Sequence, residues 1–416
     1  MKRFLLLFLL SGFYVLHAQP APEKYKFVAE IEAALKTEKH TARPATWYSF
    51  IGEYQRTLQL DELDLDYRRD VIGEPEQLSE LELAYFNTFK PYDAISYIAN
   101  IAKNHQIIIL NEAHPKPLHR VFAEQLLDSL YTAGFRYLGL EALNMNPFDS
   151  TKIIEFDTLL NKRGYPYASP FTGTYTKEPQ FGNFIRAAIR KGFYVFGYDV
   201  TAFQRRQMPR DSAGALNVQR ILLNDPDAKI FLFCGYSHLL EQPQPCPPDN
   251  PDCEPWKYLA HYLKNLTGID ALTINQEVLT ERLAAPENPY YKIITADQPS
   301  VFVNEKGKIF NGGENFDLYD MLVYHPRTNY IKGRPDWLLR NGKFKHYTLN
   351  KSDIIINCPC QVRAYYENEP ETATPADIIE LNSKEDEKAL VLPPGTYHIV
   401  IENQSGDTQR LKIEAK

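Results

Sequence analysis

Four short apolar runs, each leading to ionisable side chains, limit the folds open to this chain more than any other feature. Ile107–Leu110 runs into Glu112 and His114, and Phe135–Leu140 into Glu141. Phe193–Tyr198 runs into Asp199, and Lys229–Cys234 is followed at once by Gly235, Tyr236, Ser237 and His238. Continuous apolar runs of this length suit strands buried on both faces, as in a parallel sheet. Between them lie segments with helical spacing: Leu118–Ala133 closed by Gly134, Phe181–Lys191, and Ala213–Leu223. Pro91–Asn104 reads as a helix ahead of the first run, and another is expected around Ile153, Ile154 and Leu159. Repeated strand–helix alternation predicts an α/β fold, a mostly parallel sheet flanked by helices and joined by right-handed crossovers. Asp270–Ile274 and Met321–Tyr324 are further strand candidates, and 276–318 reads as loop-rich with a hairpin around GKIFNGG.

In a parallel sheet the C-terminal strand ends open on one edge, where open α/β sheets bind ligands. Topology therefore gathers Glu112, His114, Glu141, Asp199 and His238. Two imidazoles and several carboxylates suit either metal binding or a water-activating base with orienting partners. Glu141 is the most telling, because a carboxylate on an apolar strand is costly unless paired. Asp199 serves equally well as a cap for the next helix. Cys234 reads as a core residue of a buried strand. Ser237 lies in GYSHL, which lacks the second glycine of a nucleophile elbow.

A chain of 416 residues is expected to hold two or three domains. Lys2 and Arg3, an apolar run from Phe4 to Leu16, and Ala18 have the layout of a signal peptide over 1–18. That run is shorter than the about 20 residues of a spanning helix. A periplasmic or secreted protein is the expectation. The first cysteine is Cys234, so none lies near the leader for lipid attachment. Residues 19–95 read as a helical cap, with His40 and the acidic stretch 61–66 as solvated surface. Residues 96–335 form the expected α/β core. After a linker near 336–350, residues 345–416 carry alternating apolar runs separated by Pro394-Gly395 and Ser405-Gly406-Asp407. They predict a small all-β, sandwich-like domain, a docking module for an envelope partner. A net charge of −7 with no basic block argues against nucleic acid as the main partner. Among five cysteines, Cys246 and Cys253 bracket a Pro-rich loop that a disulfide would close. Cys358-Pro359-Cys360 is too tight for an ordinary bridge and reads as packing between adjacent strands.

NEAH at 111–114, GFRYLGLEAL at 134–143 and the segment from Arg210 to Glu241 together resemble the erythromycin-esterase/ChaN-like/Tiki superfamily, over roughly residues 95–325. That group opens on a Gly-Glu motif closed by His, ends the next strand on Glu, and places a His after a later strand. The resemblance implies a hydrolase of an ester or amide, a small-molecule or peptide substrate, with His114 as the water-activating base. It implies that Glu112 and Glu141 orient that base or bind a metal, and that His238 completes the pocket. Arg210 matches the motif arginine that steadies a carboxylate or an oxyanion. Asp199 and Tyr236 are expected beside it as substrate contacts. Asn111 stands where the family has Gly, and Tyr236-Ser237-His238 where its esterases have Asn-Ala-His. The Tiki branch is metal-dependent and the esterase branch is usually written without metal, so a divalent cofactor stays open. ChaN-like relatives are tied to haem and iron uptake, which makes haem binding the alternative function. A non-catalytic envelope scaffold is the third reading.

Overall fold

The computed structural model describes residues 24–38, 42–60, 77–143, 157–200, 204–246, 253–283 and 286–416. The leader at 1–18, His40, the stretch 61–66 and the helix expected around Ile153 and Ile154 lie outside the described residues.

The alternation of apolar runs and helices builds one eight-stranded sheet. Its strands are β1 (Phe89–Asp93), β2 (Ile107–Glu112), β3 (Tyr137–Leu140), β4 (Tyr194–Gly197), β5 (Ile230–Gly235), β6 (Leu272–Leu279), β7 (Ser300–Asn304) and β8 (Met321–Tyr324). Their spatial order is β1-β7-β8-β6-β2-β5-β3-β4. The ladders from β8 to β4 are all parallel, whereas β1 and β7 add an antiparallel edge. β2 and β5 are paired in the middle, and every residue of both is buried. That burial is why their sequences read as unbroken apolar runs rather than alternating ones. Helices Leu118–Thr132, Pro179–Lys191 and Arg210–Asn224 follow the expected spans closely.

Three local expectations differ from the structure. The segment taken as the start of a helix at Pro91 is the end of β1, and the helix begins at Ala94 on the Asp93 cap, whose side chain accepts from Ser96 N at 2.8 Å. Pro91 lacks an N–H, and β1 is an edge strand, where such a residue is tolerated. Within 276–318 the expected hairpin forms, but its first arm is β7, a full member of the main sheet; Phe310 N donates back to Phe302 O at 2.8 Å. The linker near 336–350 is structured. Arg340, 3% exposed, ties it to Glu124 and Gln180 on two core helices.

Beyond a short antiparallel pair, β9 (Tyr330–Ile331) with β10 (Arg334–Pro335), the C-terminal strand β11 (Lys345–Tyr347) pairs with β14 (Leu390–Leu392). A four-stranded antiparallel sheet of β13 (Asp377–Leu381), β12 (Cys360–Tyr366), β15 (Gly395–Asn403) and β16 (Thr408–Ala415) completes the chain. The two small sheets share one apolar cluster that includes Val362, Leu390, Leu392 and Ile399. The N-terminal helices pack on both parts. Ile31, Tyr48 and Ile51 cluster with Ala168 of the core loops and Ile378 of β13. Among the described residues no helix is long and apolar enough to cross a membrane.

Candidate active site

The turn after β2 and the first turn of the following helix fold back over the tip of that strand, and this local geometry builds half the site. Glu112 is the last residue of β2 and is 2% exposed. His114 Nδ1 lies 2.9 Å from Glu112 Oε1, so Nδ1 is the nitrogen that donates to the carboxylate and Nε2 is turned outward. Arg120, wholly buried in the first turn of the Leu118–Thr132 helix, grips the same carboxylate with two bonds: Nε to Oε2 at 2.7 Å and Nη2 to Oε1 at 2.9 Å. Its Nη2 also donates to the His114 carbonyl at 2.7 Å, and Nη1 reaches Glu178 at 3.2 Å. Glu178 is the N-cap of the 179–191 helix and accepts from Gln180 N, Phe181 N and the Tyr54 hydroxyl. One guanidinium therefore bridges two buried carboxylates and fixes the backbone that carries His114.

A second histidine locks the turn from below. The Ala113 N–H donates to His119 Nδ1 at 3.0 Å. Burial, reinforced by the nearby His325, Lys116 and Arg120, holds the His119 imidazole well below its usual pKa, so it stays neutral. With Nδ1 accepting, Nε2–H points to Thr280 Oγ1 at 3.2 Å, and the hydroxyl passes its own proton to Gln276 O at 2.6 Å. Asn111, where the resembled family carries Gly, bonds across to both neighbouring strands. Its Nδ2 donates to Tyr236 O at 3.0 Å and its Oδ1 accepts from Gln276 N at 2.9 Å.

The other half comes from β3, β4 and β5. Glu141, one residue beyond β3, accepts from Gly235 N at 2.5 Å and from Arg210. Arg210 opens the 210–224 helix and is clamped by Asp199, with Nε to Oδ1 at 2.9 Å and Nη2 to Oδ2 at 2.8 Å. His238 Nδ1 meets Asp211 Oδ1 at 2.5 Å, and its Nε2 lies 3.5 Å from Glu141 Oε1. Burial alone would discharge His238, but Glu141 and Asp211 raise it to about 10. Burial likewise favours a neutral Glu141, yet His238 first, and Arg210 after it, outweigh burial and hold the carboxyl well below the usual range. At neutral pH this half is an ionised carboxylate beside an imidazolium.

The two halves meet over Gly235. A Cβ there would stand 2.6 Å from His114 Nε2 and 3.2 Å from Glu141 Oε2, so the free nitrogen of His114 and the Glu141 carboxylate face the same spot. Aromatic rings wall it. Tyr175 stacks on His114 with centroids 4.3 Å apart, and Tyr236 meets it edge-on at 4.8 Å. Burial, with Glu112 and Glu141 close by, pushes the Tyr175 phenol up to about 12, so it packs as a neutral ring. A cleft of about 400 Å³ lies alongside, lined by Pro209, Asp211, Trp256, Tyr258 and Tyr262 among others. Trp256 is held there by two backbone bonds to Gln244, on a strap closed by the Cys246–Cys253 disulfide.

All seven residues expected from the sequence thus converge, though in different relations than expected. Arg210 is paired both with Asp199 and with Glu141, so Arg210, and Asp199 through it, support the carboxylate rather than standing as open substrate contacts. Tyr236 contributes its ring to His114 and its carbonyl to Asn111, on a backbone with φ of 45°. Among the described residues no group of three or more His, Cys, Asp or Glu is arranged to hold a metal ion. The carboxylates instead spend their oxygens on arginines and N–H groups, a poor fit to a cation site.

Sequence reasoning missed Arg120, His119, Tyr175, Glu178 and the part played by Asp211. Arg120 did leave a signal: it stands three and seven residues before Ala123 and Leu127 on the buried stripe of its helix. A charge in that stripe needs a buried partner. Tyr175 left none, since it comes from an irregular loop.

No family model matches this sequence, and no curated protein matches it. Solved structures do. ChaN of Campylobacter jejuni, described with cofacial haem binding, is similar at 10% identity over 57% of this chain and 97% of that one, with a TM-score of 0.34. The type III effector HopBA1 is similar at 13% identity over 48% and 93%, with a TM-score of 0.29. RRSP, a MARTX toxin effector domain from Vibrio vulnificus, is similar at 12% identity over 68% and 48%, also at 0.29. Likenesses this slight carry no argument about ancestry or activity.

Proposed function

We propose that this protein is an exported hydrolase that activates water against an ester or amide carbonyl, and that it is a distant relative of the erythromycin-esterase/ChaN-like/Tiki superfamily. The observation that carries the reading is the His114 ring. Its Nδ1 is bound to Glu112, and its Nε2 is left as an acceptor over Gly235, opposite the ionised Glu141 and next to a protonated His238. In this reading a water between His114 Nε2 and Glu141 loses a proton to His114 as it attacks the carbonyl. His238 serves as the cation beside the developing oxyanion and as the acid for the leaving group, not as a second base. Arg120 holds Glu112 against His114, and Arg210 keeps Glu141 in place. The Trp256–Tyr258–Tyr262 cleft takes the group attached to the carbonyl. Export is supported by the leader-like first 18 residues and by the Cys246–Cys253 bridge, since disulfides persist in oxidising compartments.

The test is turnover of a panel of chromogenic esters, lactones and peptide amides by purified protein, with and without added divalent metal. His114→Ala should abolish turnover while leaving the thermal midpoint nearly unchanged. Wild-type protein inert on every class, in both conditions, would sink the hydrolase reading.

A further inference from the structure

Away from this site, the start of β12 brings two thiols together. Cys358 and Cys360 are both free, and their sulfurs lie 3.7 Å apart. They are not on adjacent strands, as the sequence suggested. Cys358 precedes the sheet and is partly exposed, whereas Cys360 is the first residue of β12 and is fully buried, paired to Leu381 on one side and Asn403 on the other. Two sulfurs alone are too few for a structural metal site, and among the described residues no third ligand joins them. The same chain carries a formed disulfide at Cys246–Cys253, so thiol oxidation is part of its chemistry.

We propose that Cys358 and Cys360 are a thiol–disulfide exchange site, an activity independent of the hydrolase reading, with a low-molecular-weight or protein disulfide as the oxidising partner. The outer thiol, Cys358, attacks as thiolate. Its sulfur bonds to one sulfur of the donor disulfide and expels the other as a thiolate, leaving a mixed disulfide. Cys360 then attacks the Cys358 sulfur and releases the second half of the donor. In all, two electrons and two protons leave the pair, and the donor departs as two thiols. Closing the bridge requires the sulfurs to approach from 3.7 Å to about 2.05 Å. The order of attack follows from surroundings: burial, and then the neighbouring Cys358 sulfur, push the Cys360 thiol up to about 12, so the inner sulfur keeps its proton. The closed form would fasten the segment before β12 to the strand itself. A bridge spanning so few residues is strained, and strained disulfides are the readily reduced ones.

The experiment uses the full chain in oxidised glutathione, read by intact mass and by thiol counting after denaturation. Three free thiols are present before oxidation. The expected result is one left afterwards, the buried Cys234, with a mass loss of two hydrogens and full recovery on adding dithiothreitol. A Cys360→Ser variant should stop at a single glutathionyl adduct on Cys358, and Cys358→Ser should take up none in the native state. All three thiols persisting in wild type under excess oxidised glutathione overturns the proposal. A stable wild-type adduct without bridge closure overturns it too.

Discussion

Removing the Arg120 guanidinium tests the largest electrostatic commitment in the fold. In Arg120→Met the side chain keeps much of its volume but loses four hydrogen bonds, to Glu112, Glu178 and the His114 carbonyl. Glu178 retains its bonds from Gln180 N, Phe181 N and Tyr54, so most of the cost falls on Glu112, which keeps only His114. The Glu112 side chain is 3% exposed, and breaking such a buried pair from one side costs about 3–5 kcal/mol. Against a total stability of about 5–15 kcal/mol that is a fifth or more. Urea denaturation should show a lowered midpoint with an unchanged slope. Without the guanidinium the Glu112 carboxylate also loses the two bonds that hold it against His114 Nδ1, so the base is no longer firmly oriented. Turnover should therefore fall by about 10²–10⁴, the contribution of a well-oriented base. The double variant Glu112→Gln/Arg120→Met removes both charges and should recover part of the stability and none of the turnover. A loss below about 1 kcal/mol in Arg120→Met would refute the reasoning, as would a double variant less stable than the sum of its single changes.

Three further outcomes follow from the site. Gly235→Ala puts a methyl where His114 and Glu141 converge, so turnover should collapse with a stability loss of about 1–3 kcal/mol by chemical denaturation; an active variant would show that His114 does not work from this position. His238 is raised from 6.5 to about 10, so its stabilising contribution is full below about 6.5 and disappears as pH rises through about 10. Stability and turnover should share that alkaline limb, and Asp211→Asn, which removes one of the carboxylates raising His238, should move it to lower pH in a kcat–pH profile. Trp256→Ala should raise KM by roughly tenfold with kcat little changed if the cleft holds the substrate's attached group; an unchanged KM across the ester panel would place that group elsewhere.

The convergence of Glu112, His114, Glu141, Asp199 and His238 was legible in the chain because it depends only on chain direction. Apolar runs long enough to be buried on both faces must be central strands, and parallel strands release their last residues on one edge. The helices between them were legible for the same reason, since a 3.6-residue stripe follows from the surface each must bury. What the sequence by itself could not determine is which charge meets which. Glu112 is paired with Arg120, eight residues away, and the same guanidinium reaches Glu178, far along the chain. His238 is a cation because Asp211 and Glu141 flank it, although an isolated imidazole in the same motif would read as a base. Such pairings depend on distances of a few ångströms between elements remote in sequence. Coulomb and desolvation energies change by several kcal/mol over that range. The strands and the edge they share are therefore written in local pattern, whereas the protonation states that set the chemistry of the edge belong to the tertiary structure alone.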